Sequence, residues 1–218
     1  MGRLTVYRSI VPKKDGYELI KYRPTMRPPG NVPYLVDNLW EWVRPENYPC
    51  RRTSVFASPT KELAFKSGPK GGMAFEIEFY GQPIVAQLKG LTDSKYHSEC
   101  KSLKKLLVNL LRKESNEWWL DWELKKKSQA CQLWFPCLRR EEVAELFDTV
   151  PLLQAIKGEV QSKISYWNDV ELVDIEDPKL PDREGEIFFE VRDGYRLLKK
   201  DESLMKEFEN KLGGMLKR

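Results

Sequence analysis

The middle of this chain and its two ends follow different periods, and that contrast limits the fold more than any other feature. Over residues 98–112, Leu103, Leu106, Leu107, Leu110 and Leu111 share one broad helical face. Residues 4–10 instead alternate and are rich in β-formers, and residues 74–80 set Phe75, Ile77 and Phe79 against Glu76 and Glu78. Residues 186–191 read as a further strand. Strands at both ends with helices between them predict one α+β domain.

The remaining segments fill in this outline. Residues 33–43 read as a helix, with Leu35, Leu39 and Trp42 on one face and Pro45 and Pro49 ending it. A strand is expected over 52–57, a helix start at Thr60, and a short strand over 83–88. Residues 117–127 continue helically and carry Trp118, Trp119 and Trp122; 133–135 reads as a strand and 140–147 as a short helix. Residues 164–167 and 171–175 are ambiguous. The Asp193-Gly194 turn predicts that 195–198 continues the strand before it. A charged helix over 202–211 stops at Gly213-Gly214.

Composition sets few limits on partners. The net charge of +4 comes from 37 basic and 33 acidic residues, without the clustered excess of a dedicated nucleic-acid binder. Four cysteines form no CxxC pair, and His97 is the one histidine, which argues against tetrahedral zinc. Without a second histidine, Ser-His-Asp and Cys-His nucleophile sets rest on His97 alone, which reads as structural or exposed. There is no GxGxxG or P-loop phosphate cradle. No apolar leader or membrane-length run is seen, so the expectation is a cytoplasmic protein with reduced thiols and no membrane partner. An effector delivered into a host cytosol would read the same.

Three separated segments carry a more specific signal. The first is Tyr7-Arg8-Ser9 in the opening strand. The second is Arg51-Arg52-Thr53-Ser54-Val55-Phe56-Ala57-Ser58-Pro59-Thr60 ahead of a helix. The third is Glu184-Gly185-Glu186-Ile187-Phe188-Phe189, a Glu-x-Glu opening a strand. Their order and settings resemble the ADP-ribosyltransferase superfamily in its arginine–serine–glutamate (R-S-E) branch, in the manner of a small bacterial or phage effector or toxin. The resemblance spans residues 4–198.

It implies a split β-sandwich with a helical insertion at about 98–148, a catalytic domain over 1–200 and a C-terminal charged helix over 201–218. NAD would be the substrate, lying between the sheets. The cofactor-binding residues would be Arg8, Tyr7, Ser9, Ser58, Thr60 and Phe56, with Arg8 on the NAD phosphate or ribose and Ser58 holding the catalytic carboxylate. Glu186 would stabilise the positive charge that develops on the ribose as nicotinamide leaves. Glu184, facing the same cleft from two residues upstream, would orient an acceptor guanidinium, giving arginine ADP-ribosylation of a protein. Pro59 stands where the family usually carries threonine.

Each motif also has a plain structural reading: Arg8 as an edge-strand residue, Ser58-Pro59-Thr60 as a turn and N-cap, and 182–186 as a polar loop. Two other functions stay open beside the transferase: an NAD glycohydrolase on the same fold and a non-catalytic α+β interaction module. A nucleic-acid acceptor also stays open. Trp40, Trp42 and Tyr34 could stack on a base but fit core packing better. The tryptophans at 118–122 read as a packing face or a partner surface, Lys125-Lys126-Lys127 as a solvated helix end, and Tyr166-Trp167 as a candidate cleft pair.

Overall fold

The computed structural model describes residues 3–11, 26–118, 120–177 and 179–198. The helix expected at 202–211 lies outside them, as does Trp119.

Seven strands form two antiparallel sheets. β1 (Tyr7–Ile10), β3 (Met73–Phe79) and β7 (Tyr195–Leu198) make one, in the order β1-β3-β7. β2 (Val55–Ala57), β4 (Ile84–Leu88), β5 (Val170–Val173) and β6 (Glu186–Glu190) make the other, in the order β2-β6-β4-β5. Six helices complete the described fold: α1 (Tyr34–Trp42), α2 (Lys61–Ser67), α3 (Glu99–Ser115), α4 (Leu124–Cys131), α5 (Arg140–Thr149) and α6 (Pro151–Gln161).

The four-stranded sheet is the middle layer, and this explains its sequence. Along β6, Ile187 and Phe189 join Val85 from β4 and Phe75 and Ile77 from β3 in a core between the sheets. Phe188, with Ala86 and Leu88 from β4, faces a larger core built with α1, α3, α5 and α6. A strand covered on both faces must be apolar at successive positions, so Ile187-Phe188-Phe189 shows no alternation. By contrast, β3 buries Phe75 and Ile77 and leaves Glu76 and Glu78 partly exposed, as its alternation predicts.

Helix α1 is enclosed on every side, with all residues from 35 to 42 buried. Its polar members are satisfied in place. Asn38 Nδ2 donates to the carbonyls of Leu133 and Phe135 at 2.8 and 2.7 Å, and Trp40 Nε1 donates to Glu99 Oε2 at 2.7 Å. The Asp37 carboxylate accepts from Arg52 Nε at 2.7 Å, and Arg52 Nη2 donates to Asn38 Oδ1 at 2.7 Å. The helix thus acts as a central post to which the chain at 50–53 is tied.

Several expectations need correction. The strand expected from 52 starts at Val55, because 51–53 form a turn held by Thr53 and Ser54 donating to the Cys50 carbonyl. The helix expected over 117–127 is interrupted: Asn116 adopts a left-handed φ of 52° that stops α3, and α4 begins at Leu124. Trp122 is buried, while Trp118 is partly exposed beside Arg112. Residues 132–134 form a 3-10 turn rather than a strand. α6 was not anticipated, although Pro151 at its first position and buried Leu153, Ile156 and Val160 carry the signal. The helical region therefore runs to Gln161, past the expected end near 148. Finally, β7 does not form a hairpin with β6. It pairs with β3 in the other sheet, because the chain crosses between layers at 191–194, burying Val191 as it turns.

Candidate active site

The two sheets touch where β1 meets the end of β2. Tyr7 N donates to Ser58 O at 2.8 Å, and Ser58 N returns a bond to Tyr7 O at 2.7 Å. Next to this bridge, Arg8 Nη1 reaches across to the Phe56 carbonyl at 3.0 Å. A cavity of about 290 Å³ opens here, its wall including Tyr7, Arg8, Ser9, Phe56, Ser58 and Glu186. A second chamber of about 260 Å³ is lined by Asp37, Arg51 and Arg52 among others. Both chambers share Arg27, Asn31, Phe56 and Glu186. Together they reach the size of a small-molecule site, roughly 300–1,000 Å³. Arg8 and Arg27 both line the first chamber, and each is held by a backbone carbonyl, Arg8 by that of Phe56 and Arg27 by that of Ser54 at 2.9 Å.

Ser9 shows how closely the chain is packed at this mouth. Gly68 and Gly72 approach it so tightly that a Cβ at either position would collide with the Ser9 side chain. The Gly68-Pro69-Lys70-Gly71-Gly72 loop can lie against β1 only because these two positions lack side chains.

Glu186 stands between the chambers and is nearly buried, at 9% exposure. As the first residue of β6 it pairs with Leu88, and its N–H donates to Leu91 O at 2.7 Å. One carboxylate oxygen, Oε2, accepts from Arg51 Nη1 at 3.1 Å, from Ser94 N at 3.3 Å, and closely from Ser94 Oγ. Tyr166 OH lies 3.1 Å from Ser94 Oγ and accepts from Arg51 Nη1 at 2.8 Å. Proton accounting fixes the direction of this ring. The Ser94 hydroxyl proton goes to the carboxylate, which can only accept, so Tyr166 must donate to Ser94 Oγ.

The electrostatics agree with that assignment. Burial pushes the Tyr166 phenol up to about 12, so it keeps its proton. Burial works against the Arg51 charge, but the carboxylates of Glu186 and Asp37 favour the cation and hold the guanidinium charged. The guanidinium carbon lies 5.1–5.8 Å from the ring centroids of Trp40, Phe56, Tyr166 and Phe188, an aromatic cage that favours a cation. Trp40 stacks on Tyr166 at 3.9 Å and braces it from behind. Thiol chemistry has little support here: burial pushes Cys50 up, and Cys100 up to about 11.

The structure therefore brings Tyr7, Arg8, Ser9, Phe56, Ser58 and Glu186 to one cleft. Two other expected site residues lie elsewhere. Thr60 caps α2, its hydroxyl accepting from Leu63 N at 3.2 Å, and is not part of the cleft wall. Glu184 is exposed in the turn before β6 and lines neither chamber. Strand alternation was expected to aim it with Glu186, but the strand begins only at Glu186. The hydroxyl on the Glu186 carboxylate comes from Ser94, where Ser58 was expected.

Sequence reasoning also missed Arg51 and Ser94. Arg51 lay within the second motif, next to an equally basic Arg52, and nothing local separates the residue that meets Glu186 from the one that meets Asp37. Ser94 sits in an ordinary Asp-Ser turn, with Asp93 accepting from Lys95 N at 2.9 Å. Tyr166 was noted as a cleft candidate; it is fully buried behind Glu186 instead of lining the space.

Among the described residues no cluster of histidine, cysteine, aspartate and glutamate could hold a metal ion, and no helix is long and apolar enough to cross a membrane. The chain was compared with family models, curated proteins and solved structures. It matches none of them. Any functional reading therefore rests on the cleft itself.

Proposed function

We propose that this chain is an NAD-dependent mono-ADP-ribosyltransferase of the R-S-E type on a split β-sandwich, with Glu186 as its catalytic carboxylate. One observation carries the reading: Arg8, Ser58 and Glu186, from three distant motifs, line a single cleft where two sheets part. In this reading Arg8 and Arg27 face the NAD pyrophosphate, and Phe56 offers an aromatic surface to a ring. As the bond between ribose C1′ and the nicotinamide nitrogen breaks, its electron pair leaves with nicotinamide. Glu186 stabilises the positive charge left on the sugar, in a site shielded from most of the solvent. An acceptor lone pair then bonds to C1′, and the acceptor releases a proton.

The position of Glu184 favours a second reading for the last step. An exposed carboxylate outside the cleft gives no fixed partner for an acceptor guanidinium, so water is a credible nucleophile and the enzyme would then be an NAD glycohydrolase. Incubation with NAD alone, and with NAD plus a cell lysate, distinguishes the two. Nicotinamide release that depends on lysate, with ADP-ribose adducts found by mass spectrometry, supports transfer. Equal release without lysate supports hydrolysis. No release in either case removes both.

A further inference from the structure

We infer that Arg51 is a positioning residue that fixes which oxygen of Glu186 works, by drawing Oε2 into a closed ring with Ser94 and Tyr166 and leaving Oε1 to the cleft. The inference rests on the reading of Glu186 as the catalytic carboxylate. Its geometric basis is an asymmetry. Oε2 takes three donors, from Arg51 Nη1, Ser94 N and Ser94 Oγ. Oε1 has no partner among the described residues, while the side chain borders both chambers.

A carboxylate with both oxygens unanchored would rotate about its terminal torsion, which is soft. Three donors on one oxygen remove that freedom. The donors are themselves held: Arg51 by the four-ring cage and by the Tyr166 hydroxyl, and Ser94 by the backbone turn after Asp93. Arg51 makes both bonds from the one nitrogen Nη1, which a lysine ammonium could also do; what lysine lacks is the flat guanidinium that sits among the four rings.

The test uses the full chain with NAD and measures nicotinamide release and melting temperature. Arg51→Met is expected to lower kcat about a hundred-fold, the scale of an ångström-sized misplacement of a reacting group, with KM for NAD nearly unchanged. Arg51→Lys should recover part of the loss. Wild-type kcat in Arg51→Met, or a loss confined to KM, overturns the assignment. Should Arg51→Met fail to fold, Ser94→Ala and Arg51→Lys are read the same way: lowered kcat at constant KM supports it, and unchanged kcat in both overturns it.

A second readout needs no activity. Glu186→Gln should lower the melting temperature of the wild type, because it leaves the Arg51 cation unpaired, and raise that of Arg51→Met, because it removes an unpaired buried anion. Additive effects overturn the coupling. If the wild type releases no nicotinamide, the NAD reading fails, and this melting cycle still decides whether Arg51 holds Glu186.

Discussion

The buried pair between Arg52 and Asp37 makes a quantitative prediction, because it ties the turn carrying Arg51 to the central helix. Its side chains are 1% and 4% exposed, and the contact is 2.7 Å. Arg52 also donates to Asn38 Oδ1 and to the Leu138 carbonyl. Arg52→Met keeps much of the side chain's bulk but leaves Asp37 with no opposing charge in direct contact. Breaking a buried ion pair by removing one partner costs about 3–5 kcal/mol, a large share of the stability of a domain this size.

The loss should depend on pH in a definite direction. Burial already raises the Asp37 carboxyl in the wild type, and Arg52 is the main influence lowering it. Without Arg52 the folded-state value moves further up. Above the unfolded value near 3.8, the folded mutant then binds more protons than the unfolded chain, so its stability falls as pH rises through that window. The deficit relative to wild type should be largest near neutrality and shrink toward pH 5. Urea denaturation of both proteins at pH 5 and 7.5 measures it. A deficit below about 1 kcal/mol at neutral pH, or one that grows on acidification, refutes the argument.

Two further outcomes follow from the fold and the cleft. Leu153→Ala, in a helix whose inward face is fully buried, should cost about 2–5 kcal/mol in chemical denaturation, and a change under about 0.5 kcal/mol, as at a surface site, would contradict the packing of α6. Glu184→Gln should leave nicotinamide release within about two-fold of wild type, within the range of an exposed substitution; a loss comparable to that from Glu186→Gln would put Glu184 in the chemistry.

Much of the layout was legible because local period and burial agree. β3 alternates since one face meets the inter-sheet core, and α3 repeats leucine since one face meets α1 and α6. Where tertiary contacts decide, the reading ran out. The fate of residues 195–198 depends on which sheet has a free edge, and a turn dipeptide carries no such information. Glu184 and Glu186 look equivalent in a Glu-x-Glu, yet a strand that starts at Glu186 buries one and exposes the other. Arg51 and Arg52 are neighbours of the same type, and only the fold sends one to Glu186 across 135 residues and the other to Asp37 on α1. The side chains surrounding a site come from many loops, and no short pattern records them.

The central claim is that Glu186 drives cleavage of the nicotinamide bond of NAD. Nicotinamide released from NAD should be quantified for wild type and Glu186→Gln, with calorimetry of NAD binding and a melting curve confirming that both proteins are folded. The account predicts release by the wild type and a loss on the order of 10²–10³-fold in the variant, the scale of removing one electrostatic stabiliser of the transition state, while NAD affinity changes much less. Release by a folded Glu186→Gln protein at the wild-type rate would contradict it.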